Sequence, residues 1–179
     1  MRDLKTVLFI FLFSVGSLGA QSWGEKSWIE QTGDVFAYGM PLVSLSSSVV
    51  LEDYEGSKQF LAAFGASMGT TYVLKFSVQR ERPDGSDTRS FPSGHSAATF
   101  QSAVFIHKRY GLKYAALAYA GAAFTAYSRV YAQKHYVSDV LAGAVIGAVS
   151  SWFLTTQRLS LRAQIDARQG YGLTVSLKY

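Results

Sequence analysis

The chain has 179 residues, of which 49% are hydrophobic and 16% charged, with a net charge of +5; ordinary soluble domains carry about 25% charged residues. This composition excludes intrinsic disorder, and the 3 Pro and 16 scattered Gly exclude a collagen-like or Pro-rich chain. The absence of Cys excludes a disulfide framework, a thiolate metal site and a thiol nucleophile together.

Arg2 and Lys5 precede an apolar run from Thr6 to Val15, and small residues follow through Ala20. Residues 1–20 therefore read as a secretory signal peptide or an uncleaved first membrane helix. The run is shorter than the ~20 residues a spanning helix needs, which favours cleavage. Residues 21–33 form a polar stretch whose Trp23 and Trp28 suit an external membrane interface.

Five weakly polar segments follow: Val35 to Leu51, Phe60 to Leu74, Ala97 to Ile106, Tyr114 to Tyr127 and Val140 to Thr155. All are rich in Ala, Gly, Ser and Thr, residues that let membrane helices approach closely. Gly65-x-x-x-Gly69 and Gly143-x-x-x-Gly147 have the matching spacing. The expectation is an all-α, compact polytopic bundle over residues 34–156, with five transmembrane helices, or six if the N-terminal segment is retained. His107-Lys108-Arg109 with Lys113, and Arg158, Arg162 and Arg168, belong in cytoplasmic regions by the positive-inside rule. Alternation then places residues 75–94 and 129–139 outside. Residues 157–179 read as a cytoplasmic basic segment ending in a strand-like tail, where Leu173, Val175, Leu177 and Tyr179 alternate.

The external loops break the charge rule, because Lys75, Arg80, Arg82 and Arg89 all fall there. Cations on that side need a task. Three stretches supply one: Lys75-x6-Arg82-Pro83, Pro92-Ser93-Gly94-His95, and Ser128-Arg129-x5-His135-x3-Asp139. Phosphoryl transfer requires positive charge around three equatorial oxygens, with a nucleophile and a proton donor on opposite faces of phosphorus. Lys75, Arg82 and Arg129 offer the charge, and guanidinium forks suit phosphate bidentately. Arg80 and Arg89 read as solvated loop cations and His107 as structural. Pro92-Ser93-Gly94-His95 precedes an apolar segment and is expected to open a helix. Ser93 would cap that helix, and Gly94 would let a phosphate approach the N-terminal N–H groups. His135 and Asp139 are spaced to share a helix face, where the carboxylate would accept an imidazole N–H and free the other ring nitrogen.

These three stretches match, without departure, the three-part motif of the type 2 phosphatidic acid phosphatase superfamily. That superfamily also contains bacterial class A acid phosphatases and vanadium haloperoxidases, and the resemblance covers roughly residues 34–156. It implies that His135 is a nucleophile forming a phosphohistidine, Asp139 its orienting partner and His95 the general acid. Lys75, Arg82, Ser93, Gly94 and Arg129 would bind phosphate. No metal and no cofactor are expected, since three cations already do a metal's electrostatic work.

The expected function is a phosphatase acting on a lipid phosphate or lipid diphosphate, with membrane lipids around it. Its place would be the bacterial inner membrane, multi-pass, with the site facing the periplasm. The alternatives are a soluble periplasmic acid phosphatase of the same superfamily, a haloperoxidase, and a non-catalytic protein that binds anionic lipid. Nucleic acid is not an expected partner, because no segment interleaves cations with aromatics. Undecaprenyl diphosphate, phosphatidylglycerol phosphate, phosphatidic acid and the lipid A 1-phosphate are not separable from sequence, and neither is the oligomeric state.

Overall fold

A computed structural model describes residues 27–166 and 170–177. The expected signal peptide or first spanning segment, 1–20, lies outside them, as does the stretch 21–26. Five helices run in the order α1 (Trp28–Val50), α2 (Tyr54–Val78), α3 (Gly94–Tyr110), α4 (Leu112–Tyr131) and α5 (Val137–Leu154). Two strands follow, β1 (Leu159–Asp166) and β2 (Gly170–Leu177).

Each of the five apolar segments lies in its own helix, but most of the helices extend beyond the apolar stretch because polar residues form their first turns. Ser27, Asp53 and Ser93 cap α1, α2 and α3, each accepting a hydrogen bond from the backbone N–H three residues on. Residues 28–33, expected as an interfacial segment, are thus already helical. Gln79 stops α2 in a left-handed conformation (φ 47°), and Gly111 separates α3 from α4 at φ 101°.

α3 is the central element and packs against all four other helices. Its neighbour α5 presents a stripe of Asp139, Gly143, Gly147 and Ser151 toward it. A Cβ at Gly143 would stand 2.2 Å from the Ser93 carbonyl oxygen, and one at Gly147 would stand 2.2 Å from that of Ala97. The two backbones therefore touch directly. Gly65 and Gly69, which share the same spacing in sequence, face open space on α2 and join nothing.

The distribution of polarity is inverted relative to a soluble bundle. Ser44, Ser47, Ser67, Thr71, Thr99, Gln101, Thr125 and Ser151 are buried, while Leu42, Val73, Phe76, Leu117, Leu141, Val145 and Phe153 are exposed, Phe153 by 78%. Helices of 17 to 25 residues are about 25 to 38 Å long at 1.5 Å per residue, which brackets a hydrocarbon core of about 30 Å. Among the described residues, one helix, Val137–Leu154, is long and apolar enough to cross a membrane by composition alone.

The end of the bundle where α3 stops is locked by a buried ion pair. Arg109 donates from Nε to Asp53 Oδ2 at 2.7 Å and from Nη1 to the Thr156 carbonyl at 3.0 Å, and Tyr110 Oη donates to the same carboxylate. Burial alone would raise the Asp53 carboxyl, but the hydrogen bonds from Arg109, the Gly56 N–H and Tyr110 take it below its ordinary value. Arg109, expected only as a topology-setting cation, is thus also a structural residue in the last turn of α3. Beyond α5, outside the all-α bundle, the chain forms two strands. β1 and β2 pair antiparallel, with Leu159 opposite Leu177, Leu161 opposite Val175 and Ala163 opposite Leu173. The alternation expected for the tail also runs through Leu159, Leu161, Ala163 and Ile165, so the basic segment supplies the first strand of a hairpin and the tail the second.

The glycine contacts predict a contrast. Gly147→Ala should cost about 1–3 kcal/mol by overpacking, at about 2–4 °C of melting temperature per kcal/mol for a chain of this size. Gly65→Ala, with space for its methyl group and a better helix propensity, should leave the melting temperature in detergent unchanged or raise it. Equal melting temperatures for the two variants would show that the α3–α5 contact is not tight.

Candidate active site

The site lies at the end of the bundle opposite Arg109, where two loops fold against each other. Residues 79–93 join α2 to α3, and residues 132–136 join α4 to α5. The Asp84 N–H donates to the Gln133 carbonyl at 3.1 Å, and Lys134 Nζ contacts Asp84 Oδ2 at 2.6 Å. The hydrogen bonds from Lys134 and Ser86 hold the Asp84 carboxyl well below the usual carboxylate range.

These loops and helix ends enclose a cavity of about 340 Å³. Lys75, Arg82, Gly94, His95, Arg129 and His135 all line it. Ser93 and Asp139 stand behind its wall, fully buried. All eight residues singled out in the sequence are therefore in or against one cavity. Lys75, in the last turn of α2, donates from Nζ to the Arg89 carbonyl at 2.7 Å. Arg82 lies 3.6 Å from Asp87, and its buried Nε has no hydrogen-bond partner among the described residues. An unpartnered guanidinium N–H beside a cavity is a donor suited to an anion. Ser93 caps α3 as expected, and its own N–H donates to the Asp139 carbonyl at 2.9 Å. The Gly94 N–H is at the helix N-terminus, where backbone donors and the dipole favour negative charge.

The partner of His135 differs from the one expected. Nδ1 is 2.7 Å from the Ser90 carbonyl oxygen but 3.9 Å from Asp139 Oδ2. α5 starts only at Val137, so His135 precedes the helix and does not share a face with Asp139. The Asp139 carboxylate turns back instead. It accepts from the Tyr136 N–H at 3.0 Å, from Ser90 Oγ at 2.5 Å and from Arg80 Nη1 at 2.8 Å. Because a carbonyl only accepts, Nδ1 of His135 carries the proton and Nε2 keeps its lone pair. Asp139 acts on the imidazole through Ser90. Burial first, then Lys75 and Arg82, push the His135 imidazole down to about 3, against smaller opposing effects of the Ser90 carbonyl and Asp139. The ring is therefore neutral, with a free nitrogen, across the physiological range.

Three participants were not singled out in the sequence. Arg80, read as a solvated cation, bonds to Asp139 and to Ser138 Oγ and packs 3.9 Å over the Tyr136 ring. Ser90 joins His135 to Asp139. Asp34, on α1, lies 2.7 Å from Arg129 Nη1 and 3.0 Å from His95 Nε2. A carboxylate at the edge of an apolar segment was the available signal for Asp34, since such residues are costly without a partner. Arg89 packs over Phe76 at 5.1 Å and lines the cavity. Among the described residues, no group of three His, Cys, Asp or Glu side chains is gathered as a metal ion would require.

The profile of the PAP2 superfamily matches residues 57–162. The chain is 28% identical over 169 residues to the lipid A 4'-phosphatase of Helicobacter pylori, covering 88% of this chain and 85% of that protein. It is 43% identical over 82 residues to the lipid A 1-phosphatase of Porphyromonas gingivalis, which is 44% of this chain but only 18% of that protein's length. Among solved structures, the crystal structure of Aquifex aeolicus LpxE superposes with a TM-score of 0.61 at 23% identity, covering 82% of this chain and 93% of that one, and so shares its fold.

The position of His135 between Lys75 and Arg82 predicts how its ring responds to an anion. In 15N-histidine spectra, the resonance absent from His135→Gln should keep its neutral pattern down to about pH 5, because desolvation and both cations oppose protonation. Orthophosphate or vanadate in the cavity would offset the two cations and move the midpoint upward. A His135 that protonates at its unperturbed value without ligand would contradict this site geometry.

Proposed function

The chain belongs to the PAP2 superfamily, and on that footing we propose that it is a membrane lipid phosphatase that works through a phosphohistidine and without a metal ion. It is a hydrolase of phosphate monoesters. The observation that carries this reading is the single cavity lined by Lys75, Arg82 and Arg129 together with two histidines, His95 and His135. Three cations bind the equatorial oxygens and offset the charge that develops on them. The Nε2 lone pair of His135 attacks phosphorus while the bond from phosphorus to the lipid oxygen breaks. His95 gives that oxygen its proton, and a lipid alcohol leaves. Water then attacks the phosphohistidine, His95 takes its proton, and the P–N bond breaks to release orthophosphate.

The rest of the cavity favours a lipid substrate. Ala37, Tyr38, Phe64, Met68, Tyr72 and Ala98 form an apolar wall between α1, α2 and α3, directly beside the cations. The apolar outer surface of the bundle, with Val73 64% exposed and Phe153 78% exposed, suits all five helices to a bilayer and is unsuited to a soluble periplasmic enzyme. Lys58, Lys108, Arg109, Lys113 and Arg158 belong to the opposite end, and once the cations that serve the cavity are set aside, this supports an orientation with the catalytic end in the periplasm of an inner membrane. Likeness to the Helicobacter protein over most of both chains makes lipid A phosphates the first substrates to test, ahead of phosphatidic acid, phosphatidylglycerol phosphate and undecaprenyl diphosphate.

Protein purified in detergent should release orthophosphate from at least one of these lipids, be blocked by vanadate and keep its rate in excess EDTA. His135→Ala should lose activity by about a thousandfold or more, as removal of a nucleophile does. Full activity in His135→Ala would overturn the phosphohistidine, and loss of turnover in EDTA would overturn metal independence.

A further inference from the structure

The three motif stretches account for α2 to α5, but one wall of the site comes from α1, which carries none of them. Gly33 on α1 sits so close to α4 that a Cβ there would stand 1.9 Å from Ser128 Oγ and 3.0 Å from Arg129 Nη2. This contact sets the depth of the next residue, Asp34. Arg129 then grips α1 twice: Nη2 donates to the Glu30 carbonyl at 2.7 Å and Nη1 to Asp34 Oδ1 at 2.7 Å. The same oxygen, Asp34 Oδ1, is 3.0 Å from Nε2 of His95. One turn further along α1, Tyr38 meets the His95 ring edge-on at 5.9 Å between centroids. Two residues of α1 thus frame the imidazole, one at its nitrogen and one in edge contact with its ring.

We propose that Asp34 is a positioning residue for proton transfer by His95. The role rests on the phosphatase reading above and adds to it a residue from outside the motifs. The Asp34 carboxylate accepts the Nε2–H of His95, so that Nδ1 is the nitrogen that exchanges a proton with the reacting oxygen. In the first step the Nδ1 proton passes to the lipid oxygen as its bond to phosphorus breaks, and His95 is left neutral and still bound to Asp34. In the second, Nδ1 takes a proton from the attacking water as the P–N bond breaks. Asp34 stabilises the imidazolium whenever the ring holds both protons. Through Arg129 it also ties the proton donor to a phosphate-binding guanidinium, which has N–H donors beyond the three that Asp34, Glu30 and Ser128 engage.

Leaving-group dependence separates this role from a structural one. A lipid alkoxide needs protonation to leave, whereas p-nitrophenolate does not. Asp34→Asn, which keeps the size of the side chain, should lower the rate of the first step, read in a single turnover as release of the leaving group, about 10- to 100-fold on the lipid phosphate and by no more than about threefold on p-nitrophenyl phosphate. His95→Ala should show the same selectivity in that step, while its slower hydrolysis of the phosphohistidine lowers steady-state kcat on both substrates. Melting in detergent reports whether Asp34→Asn folds. If it does not, Asp34→Glu, which retains a charge for Arg129 but displaces the oxygen, is read by the same ratio. Equal losses on the two substrates, or no loss on either, would overturn the role of Asp34 while the phosphatase reading stands. Wild-type protein that releases phosphate from neither substrate would overturn that reading and this inference with it.

Discussion

At Gly143 and Gly147 the backbone of α5 lies on that of α3 with no side chain between them, and most of the site follows from this contact. It places the start of α5 beside the start of α3, so the Ser93 N–H reaches the Asp139 carbonyl at 2.9 Å. The second and third motif stretches, separated by nearly two helices in sequence, are brought together there. Helix association among small residues works by close approach and van der Waals contact, not by burying large apolar groups. That suits a bundle with many apolar side chains on its outer surface and Ser, Thr and Gln buried inside. The Gln101 side chain and Ser151, paired across the same interface at 3.1 Å, continue the contact with a hydrogen bond one turn further from the site.

The buried carboxylate of Asp139 is then the point where the loops are fixed. It is fully buried, and a bare charge there would be costly. Its oxygens are satisfied by the Tyr136 N–H, Ser90 Oγ and Arg80, drawn from both loops. The Ser90 carbonyl in turn fixes the tautomer of His135. A reactive nitrogen needs to be aimed and unprotonated, and these come from different sources: the hydrogen bond to Ser90 aims it, and burial with Lys75 and Arg82 keeps it unprotonated. On the proposed reading, the cations that would bind phosphate therefore also keep the His135 imidazole unprotonated.

Much of this was legible in the sequence, for reasons that differ by residue. The five apolar segments lie within five helices because hydrophobic content survives whichever face is buried. The eight motif residues converge because their spacing encodes helix ends, with Lys75 at the end of α2, Ser93 at the cap of α3 and Arg129 in the last turn of α4. What sequence could not supply was direction. Gly65-x-x-x-Gly69 and Gly143-x-x-x-Gly147 read alike, yet only the second faces a neighbour. The i, i+4 spacing of His135 and Asp139 suggested a direct bond, but the helix begins between them and turns the carboxylate toward its own first turn. Arg80 lies two residues from Arg82 and differs from it only through the path of the loop. Asp34 could be suspected as a carboxylate at the edge of an apolar segment, but its partners lie 61 and 95 residues away. The hairpin was half visible, since the alternation in its second strand was noted and the same alternation in the first was masked by arginines.

The two ends of the bundle use the same residue types toward opposite results. At the α3 C-terminus, Arg109 is matched by Asp53 through Nε and Nη2, and Nη1 turns to backbone and hydroxyl oxygens of 156 and 157, so that all three guanidinium nitrogens are engaged by the protein. Such a pair ties α2, α3 and the segment after α5 together. At the other end Arg80, Arg129 and Lys134 are matched by Asp139, Asp34 and Asp84, while Lys75 and Arg89 have no acidic partner among the described residues and Arg82 has a loose one at 3.6 Å with its Nε unmatched. An excess of positive charge in a partly apolar cavity is unfavourable unless an anion is bound there for part of the working cycle. The imbalance is confined to the cavity wall and pairs with a neutral, aimed imidazole. It is this local surplus, more than the net charge of the chain, that marks the end of the bundle where a phosphate belongs.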